Sequence, residues 1–245
     1  MYKKQKIDQA IILAAGFGVR MRPLTLTTPK PLVKLNKKPI IYYILEELKN
    51  NKIKKCFINV HYLPLKIEKY IEEYRALNKS MNIVIIKEKV ILETGGAIKN
   101  ILKKNDNGPI IAINADSLII PFKQVSPLSL LIKNFNADTM DFLLLLDDFQ
   151  NSIGYYDQGD FSFSSNDAPS RIIRNMNSGF AYTGWQILNP NAVLKVNKNV
   201  FSLNYCYNKA ITENTIWGMI NTQKWLHIGN INALNEANRW LENYK

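Results

Sequence analysis

A chain of 245 residues that is 47% hydrophobic and 21% charged is long enough to bury a sizeable core and too apolar to be disordered. Its net charge of +12 comes from 32 Lys and Arg against 20 Asp and Glu. The lysines are scattered and no aromatic-basic RNA-binding motif accompanies them, which argues against nucleic acid as the partner. Cys56 and Cys206 sit in no C-x-x-C pair and are too few for a disulfide framework. No stretch reaches the ~20 apolar residues of a membrane span. The apolar run from Ala10 to Ala15 follows Asp8 and is shorter than the about 7–15 residues of a secretory h-region. A cytoplasmic protein is expected.

That first run starts β-branched, as a buried parallel strand should, and ends in Ala14-Ala15-Gly16. Gly16 and Gly18, then Arg20, Arg22 and Lys30 follow. Backbone N–H groups at such a turn, with cations beyond, make a receptor for polyphosphate. A Gly-rich surface turn with basic decoration is the plainer alternative. A dinucleotide fingerprint would need a third glycine where Met21 stands, and there is no Gly-Lys-Ser/Thr for a Walker A loop.

Lys38 to Asn50 predicts a helix with Ile41, Ile44, Leu45 and Leu48 on one face. Lys55 to Val60 predicts a strand, Leu65 to Leu77 a helix behind Pro64, and Ile83 to Ile86 a short strand. Thr94 is placed as the N-cap of a third helix, and Ile110 to Asn114 as another buried strand. This alternation predicts an α/β fold: a Rossmann-like, mostly parallel sheet flanked by helices, with ligands at the carboxyl ends of its strands.

Beyond about residue 120 the pattern becomes mixed. Pro121 and Pro127 bracket a loop before a short helix from Ser129 to Phe135. Met140 to Leu146 is a strand, and Tyr155 to Phe163 a hairpin turning at Gln158-Gly159-Asp160. Phe180 to Thr183 and Trp217 to Ile220 are further strands. Val200 to Lys209 and Ile231 to Asn243 are helices. The organisation expected is one domain with two lobes: residues 1–120 for nucleotide, and residues 121–245, smaller and mixed, for a second substrate.

The full string from Leu13 to Pro31 resembles the signature L-A-A-G-x-G-x-R-x-x-P-x-T-x-x-x-P-K-P of the sugar-phosphate nucleotidylyltransferases, with Leu13, Ala14, Ala15, Gly16, Gly18, Arg20, Pro23, Thr25, Pro29, Lys30 and Pro31 in place. The resemblance implies a nucleotide site of Ala14, Ala15, Gly16, Gly18, Val19, Arg20 and Lys30. It also carries over Thr94, Gly95 and Gly96, whose segment recognises the nucleobase in that family. Asn114 and Asp116 match the family's Asn/Gly-x-Asp at a strand end, where the aspartate holds Mg²⁺ and the pair touches the sugar. Thr183, before Gly184, and Asp160 match the sugar side; as a turn residue Asp160 needs no function.

Leu92-Glu93-Thr94-Gly95-Gly96 looks most like the N-acetylmuramate-1-phosphate uridylyltransferases, which favours UTP and N-acetylmuramic acid 1-phosphate as partners. Guanylyl or thymidylyl transfer to mannose, heptose or glucose 1-phosphate is the alternative, and a non-catalytic nucleotide-sugar sensor is an alternative of another class. The last motif departs from the family. Where relatives carry Trp-x-Asp-Val/Ile-Gly-Thr, this chain has Trp225-Leu226-His227-Ile228-Gly229-Asn230. Imidazole suits Zn²⁺ or Mn²⁺ better than Mg²⁺. Three arrangements stay open: metal held by Asp116 and phosphates, His227 as metal or phosphate ligand, or a weakened site. The family's Glu-Lys-Pro is also missing; Arg171 and Arg174 are read as surface residues.

The implied reaction joins a sugar 1-phosphate to a nucleoside triphosphate with release of pyrophosphate. Arg20, Lys30 and Asp116 are its expected catalytic residues.

Overall fold

Strands that alternate with helices over short connections must pair side by side, because each crossover returns the chain in the same direction on a neighbouring strand. The computed structural model describes residues 6–105, 108–120, 125–150, 152–165, 167–175 and 179–244. It begins with β1 (Gln9–Leu13), a small ribbon of β2 (Lys34–Leu35) and β3 (Lys38–Pro39), α1 (Ile40–Asn50), β4 (Lys55–Val60), α2 (Pro64–Leu77), β5 (Asn82–Lys87), α3 (Glu93–Leu102) and β6 (Ile110–Asn114). β7 (Ser117–Ile120), α4 (Pro127–Asn134), β8 (Phe142–Asp147), β9 (Phe161–Phe163), β10 (Ser170–Arg174) and β11 (Ala181–Leu188) follow. The last elements are α5 (Asn191–Leu194), α6 (Asn204–Thr212), β12 (Ile216–Ile220), β13 (Lys224–His227) and α7 (Ile231–Asn243).

The main sheet has the order β5-β4-β1-β6-β11-β8-β12-β10-β9. β5, β4, β1 and β6 are mutually parallel, with Ile12 beside both Ile58 and Ile113. β11 runs antiparallel between β6 and β8, and β12 is parallel to β8. The sheet is therefore continuous through both halves of the chain, parallel in the first and mixed in the second.

Period-2 alternation sends Ile12 to one face and Ile11 to the other. The Ile12 face is covered by α1, α2, α4 and α7, through Ile44, Ile67, Leu131 and Leu234. The Ile11 face is covered by α3, α5 and α6, through Ile98, Val193 and Tyr207. In α1 the residues Ile40, Ile41, Ile44, Leu45 and Leu48 are wholly buried. Each stabilises the fold by roughly 1.5–3 kcal/mol of transfer free energy, far more than helix propensity supplies.

Three expectations need correction. Tyr155 to Phe163 is not a hairpin: only Phe161–Phe163 is a strand, and its partner is β10. Thr94 does not cap α3, since its Oγ1 instead accepts a hydrogen bond from Leu203 N at 2.9 Å. Lys38 and Pro39 belong to the β2–β3 ribbon, and the helix starts at Ile40. Pro127 opens α4, whereas Pro121 lies outside the described residues. The pairing of β7 with β13 was not anticipated. It sets His227 opposite Ser117.

Candidate active site

Leu13 and Asn114 are neighbours in register on β1 and β6, so the segments that follow them leave the sheet side by side. A cleft of about 410 Å³ opens there, at the carboxyl ends of β1, β4, β5 and β6. Ala14, Ala15, Gly16, Gly18, Val19, Arg20, Lys30, Thr94, Asn114 and Asp116 all line it. Gly18 adopts φ +64°, and a Cβ there would stand 3.0 Å from Thr25 Cγ2 and 3.1 Å from Lys30 Cβ. Glycine is therefore required to bring the loop against Lys30. Thr25 fastens the same turn by donating to Gly18 O at 2.8 Å.

Lys30 and Asp116, 86 positions apart, form an ion pair with Nζ 2.6 Å from Oδ2. Burial pushes the Asp116 carboxyl up, but Lys30 and His227 pull it down. With hydrogen bonds from Lys30 and its own backbone, they hold it below the ordinary aspartate value. Asp116 is thus ionised at neutral pH. Ile228 N donates to Asp116 O at 2.8 Å, which ties the β13 end to this point. A Cβ on Gly229 would lie 2.9 Å from His227 Nε2 and 3.8 Å from Arg20 Nη1, so both side chains flank Gly229 at the cleft. Burial, then the cations Lys30 and Arg20, keep His227 below its usual pKa against the pull of Asp116 and Asp157. His227 is neutral there.

Gly95 and Gly96 do not line the cleft. Both of their N–H groups donate to Phe201 O, at 3.0 and 3.1 Å. A Cβ on Gly95 would meet the Phe201 ring at 2.4 Å, and one on Gly96 would meet Asn199 O at 2.2 Å. These glycines let the 199–201 segment lie on α3, and their N–H groups are already engaged. Thr183 is likewise turned inward: it is buried and donates to Leu145 O at 2.8 Å. A bulge between Tyr182 and Gln186 surrounds Gly184, where a Cβ would stand 2.9 Å from Asn114 Nδ2.

The far end of the cleft holds residues that the motif did not mark. Asn59 and Glu88 are buried yet line it, with Glu93 nearby. Asn59 accepts from Ala14 N at 2.9 Å and donates to Glu88 Oε1 at 2.8 Å, while Leu92 N reaches Glu88 Oε2 at 3.4 Å. Asn59 and Glu88 were detectable only as polar residues ending apolar strands. The cleft therefore has Arg20 and Lys30, with the paired Asp116, on the β1–β6 side and the carboxylates of Glu88 and Glu93 beyond β5.

A second chamber of about 210 Å³ shares Leu13, Thr94 and Asn114 with the cleft and continues between β11 and α6 along Tyr182, Gln186, Asn204 and Tyr207. Asp160 stands behind this wall, accepting from Tyr182 N at 2.9 Å. Arg171 is exposed as expected, but Arg174 is half-buried.

One carboxylate, Asp116, beside Lys30 and Arg20 suits Mg²⁺, which binds few protein oxygens and keeps waters and substrate phosphates. Among the described residues no group of three or more His, Cys, Asp or Glu could form a protein cage for a metal, and no helix is long and apolar enough to cross a membrane.

Residues 9–151 match the Nucleotidyl transferase family. N-acetylmuramate alpha-1-phosphate uridylyltransferase of Caulobacter vibrioides is 30% identical over 229 residues, 91% of this chain and 93% of that one. A mannose-1-phosphate guanyltransferase of Neurospora crassa is 38% identical over 122 residues, 48% of this chain but 33% of that protein. Among solved structures, UDP-glucose pyrophosphorylase complexed with UDP-glucose superposes with TM-score 0.81 at 19% identity, over 98% of this chain and 100% of that one. The UTP-bound UGPase of Acinetobacter baumannii gives 0.78 at 14% identity, over 98% and 95%. These structural likenesses show the fold, and with the sequence matches they place the chain in the nucleotidyl transferase family, as a sugar-1-phosphate nucleotidyltransferase.

Proposed function

We propose that the chain transfers the uridylyl group of UTP to N-acetylmuramic acid 1-phosphate, giving the UDP-sugar and pyrophosphate. The observation that carries this choice is the likeness to the Caulobacter uridylyltransferase along nearly the whole of both chains, whereas the guanyltransferases match only about half of this one.

The attacking oxygen belongs to a phosphate monoester with a second pKa near ~6, so it is ionised at neutral pH and needs no general base. The obstacle is repulsion between anions and charge growing on the leaving pyrophosphate. Catalysis is then positioning and charge neutralisation. Arg20 takes the departing β- and γ-phosphates. Lys30, held ready by Asp116, lies between the attacking phosphate and the α-phosphate. The Gly16–Gly18 turn brings backbone against the triphosphate, and the base lies toward Asn59 and Glu88, away from the cations. Asp116 would hold Mg²⁺, with phosphate oxygens and water completing the shell, and a metal there polarises the α-phosphoryl group.

The neutral imidazole of His227 is a second candidate ligand. In the nucleotide complex, Mn²⁺ affinity read by EPR then falls at least tenfold in His227→Gln. Unchanged affinity makes His227 part of the scaffold. The reaction is tested by pyrophosphate release with Mg²⁺, pairing UTP and GTP with N-acetylmuramic acid, mannose and glucose 1-phosphates. Release with UTP and N-acetylmuramic acid 1-phosphate alone supports the reading. Release with GTP and mannose 1-phosphate overturns it in favour of guanylyl transfer. Nucleotide binding with no release from any pair indicates a sensor.

A further inference from the structure

The stretch from Gly16 to Leu32 carries Arg20 and Lys30, and its regular structure is three single 3₁₀ turns, Val19–Met21, Leu24–Leu26 and Lys30–Leu32. Such turns are short and poorly bonded, so much of the loop's position is set from outside it. The support comes from the segment that leaves β4. Phe17 meets the rings of His61 and Tyr62 edge-on, with centres 5.6 Å apart in each case, a favoured aromatic geometry. The Tyr62 hydroxyl donates to Thr25 O at 2.8 Å, with Leu26 O at 3.4 Å, and Lys66 Nζ donates to Thr27 O. His61 Nδ1 donates to Glu88 O at 2.9 Å, which ties the same segment to the chain beyond β5. Leu63 then turns through φ +47°, a left-handed conformation that a bulky residue keeps only where its surroundings impose it.

Tyr62 thus touches the loop on both sides of Arg20, at Phe17 before it and at Thr25 after it. Thr25 is 1% exposed, and its Oγ1 donates to Gly18 O at 2.8 Å. A closed circuit results: Tyr62 ring to Phe17, Gly18 O to the Thr25 hydroxyl, and Thr25 O back to the Tyr62 hydroxyl. Arg20 lies within it. Its side chain is exposed, so its placement depends on the backbone that the circuit holds. Tyr62 itself does not line the cleft and acts on it through the loop.

We propose that Tyr62 is a positioning residue for triphosphate binding: its hydroxyl, bound to Thr25 O, holds the Gly16–Gly18 turn and Arg20 where the β- and γ-phosphates bind. The inference rests on the assignment of the triphosphate to this loop. Without the hydroxyl the loop is less confined, and the triphosphate must order it on binding, which costs affinity. UMP lacks the β- and γ-phosphates and so loses little.

The experiment measures Kd for UTP and for UMP, each with Mg²⁺, by titration calorimetry, beside a melting curve. Tyr62→Phe keeps the ring on Phe17 and removes only the hydroxyl. It should weaken UTP by roughly 3- to 10-fold, the worth of one neutral hydrogen bond, and leave UMP within about twofold. Tyr62→Leu, which also takes the ring from Phe17, should weaken UTP further. Tyr62→Phe combined with Thr25→Val should cost less than the product of the two single losses, because both break one circuit. UTP and UMP affinities that fall together, or a lowered Tm with both affinities kept, make Tyr62 part of the scaffold and overturn the proposal. A wild type that binds UTP no more tightly than UMP takes the triphosphate off the loop and overturns that assignment and this inference together. Binding of GTP in place of UTP corrects the base alone, and the same split is then read with GTP and GMP.

Discussion

Asn59→Ala should be among the most damaging single changes outside the signature loop. Asn59 is 3% exposed, Ala14 3% and Glu88 7%, so water cannot readily replace the lost bonds. The substitution orphans the Ala14 N–H, which costs about 1–3 kcal/mol, and removes a hydrogen bond to the Glu88 carboxylate, worth about 1.5–3 kcal/mol. Together these predict a loss of about 3–5 kcal/mol. At roughly 2–4 °C per kcal/mol for a chain of this size, Tm should fall by roughly 6–20 °C. Urea unfolding followed by tryptophan fluorescence measures the loss. A cycle with Glu88→Gln should show coupling above about 0.5 kcal/mol, because the two residues share one network. Since Ala14 begins the cleft loop to which the proposed function assigns the triphosphate, KM for the triphosphate should rise more than KM for the sugar phosphate. A variant within about 1 kcal/mol of wild type, additive with Glu88→Gln, would refute the idea that this chain of bonds holds the loop.

Lys30→Ala, which deletes a preorganised charge, should lower turnover on the order of 10²–10³-fold with the fold retained, by analogy with oxyanion-hole deletions; unchanged turnover with normal circular dichroism would remove Lys30 from the mechanism. Gly96→Ala places a methyl 2.2 Å from Asn199 O and should destabilise by about 1–3 kcal/mol. A normal melting curve with a weakened nucleotide KM would instead return Gly96 to ligand binding. Burial raises the pKa of Asp147, outweighing its hydrogen bonds from Asn221 and Phe149 N. Its contribution to stability is therefore complete below the unfolded value of about 3.9 and is lost as pH rises through the folded value. Relative to Asp147→Asn, the wild type should lose stability between pH 4 and neutrality; parallel Tm–pH curves would contradict this.

What could be read from the sequence follows the range of the interactions involved. β4 and α7 coincide with their expected spans, because periodicity and end signals are local. The supposed hairpin from Tyr155 to Phe163 had alternation and a turn glycine, but Phe161–Phe163 pairs with Ser170–Arg174. Alternation does not name a partner strand. Gly159 also has a non-local reason, since a Cβ there would meet Gly179 O at 2.4 Å. Gly95 and Gly96 show the same ambiguity: glycines that admit a ligand and glycines that admit another segment look alike until the opposing atoms are known. Asn59 and Glu88 act on partners 45 and 29 positions away, and a single polar residue ending a strand has no period to betray it. Arg174 looked like a surface residue because its burial comes from Phe161 and α6, neither adjacent in sequence.

The cluster that was legible is the one the signature spacing carries: Gly18, Arg20, Lys30 and Asp116 converge on one cleft. Lys30 and Asp116 meet because β1 and β6 are neighbours in register, and that neighbourhood is fixed by a short βα alternation visible in the first half. The chamber beyond Asn114 depends instead on β11 entering antiparallel beside β6 and on α6 lying across it. Asn204, Tyr207 and Arg174 can be changed without altering any residue of the Arg20–Lys30–Asp116 end. Under the proposed reaction the first half places charges against phosphates, and the walls between β11 and α6 face the sugar. If this is correct, substitutions at Asn204 and Tyr207 should move KM and selectivity among sugar 1-phosphates while leaving KM for the nucleotide within about twofold. A comparable shift in both constants would mean that the two sites do not act independently.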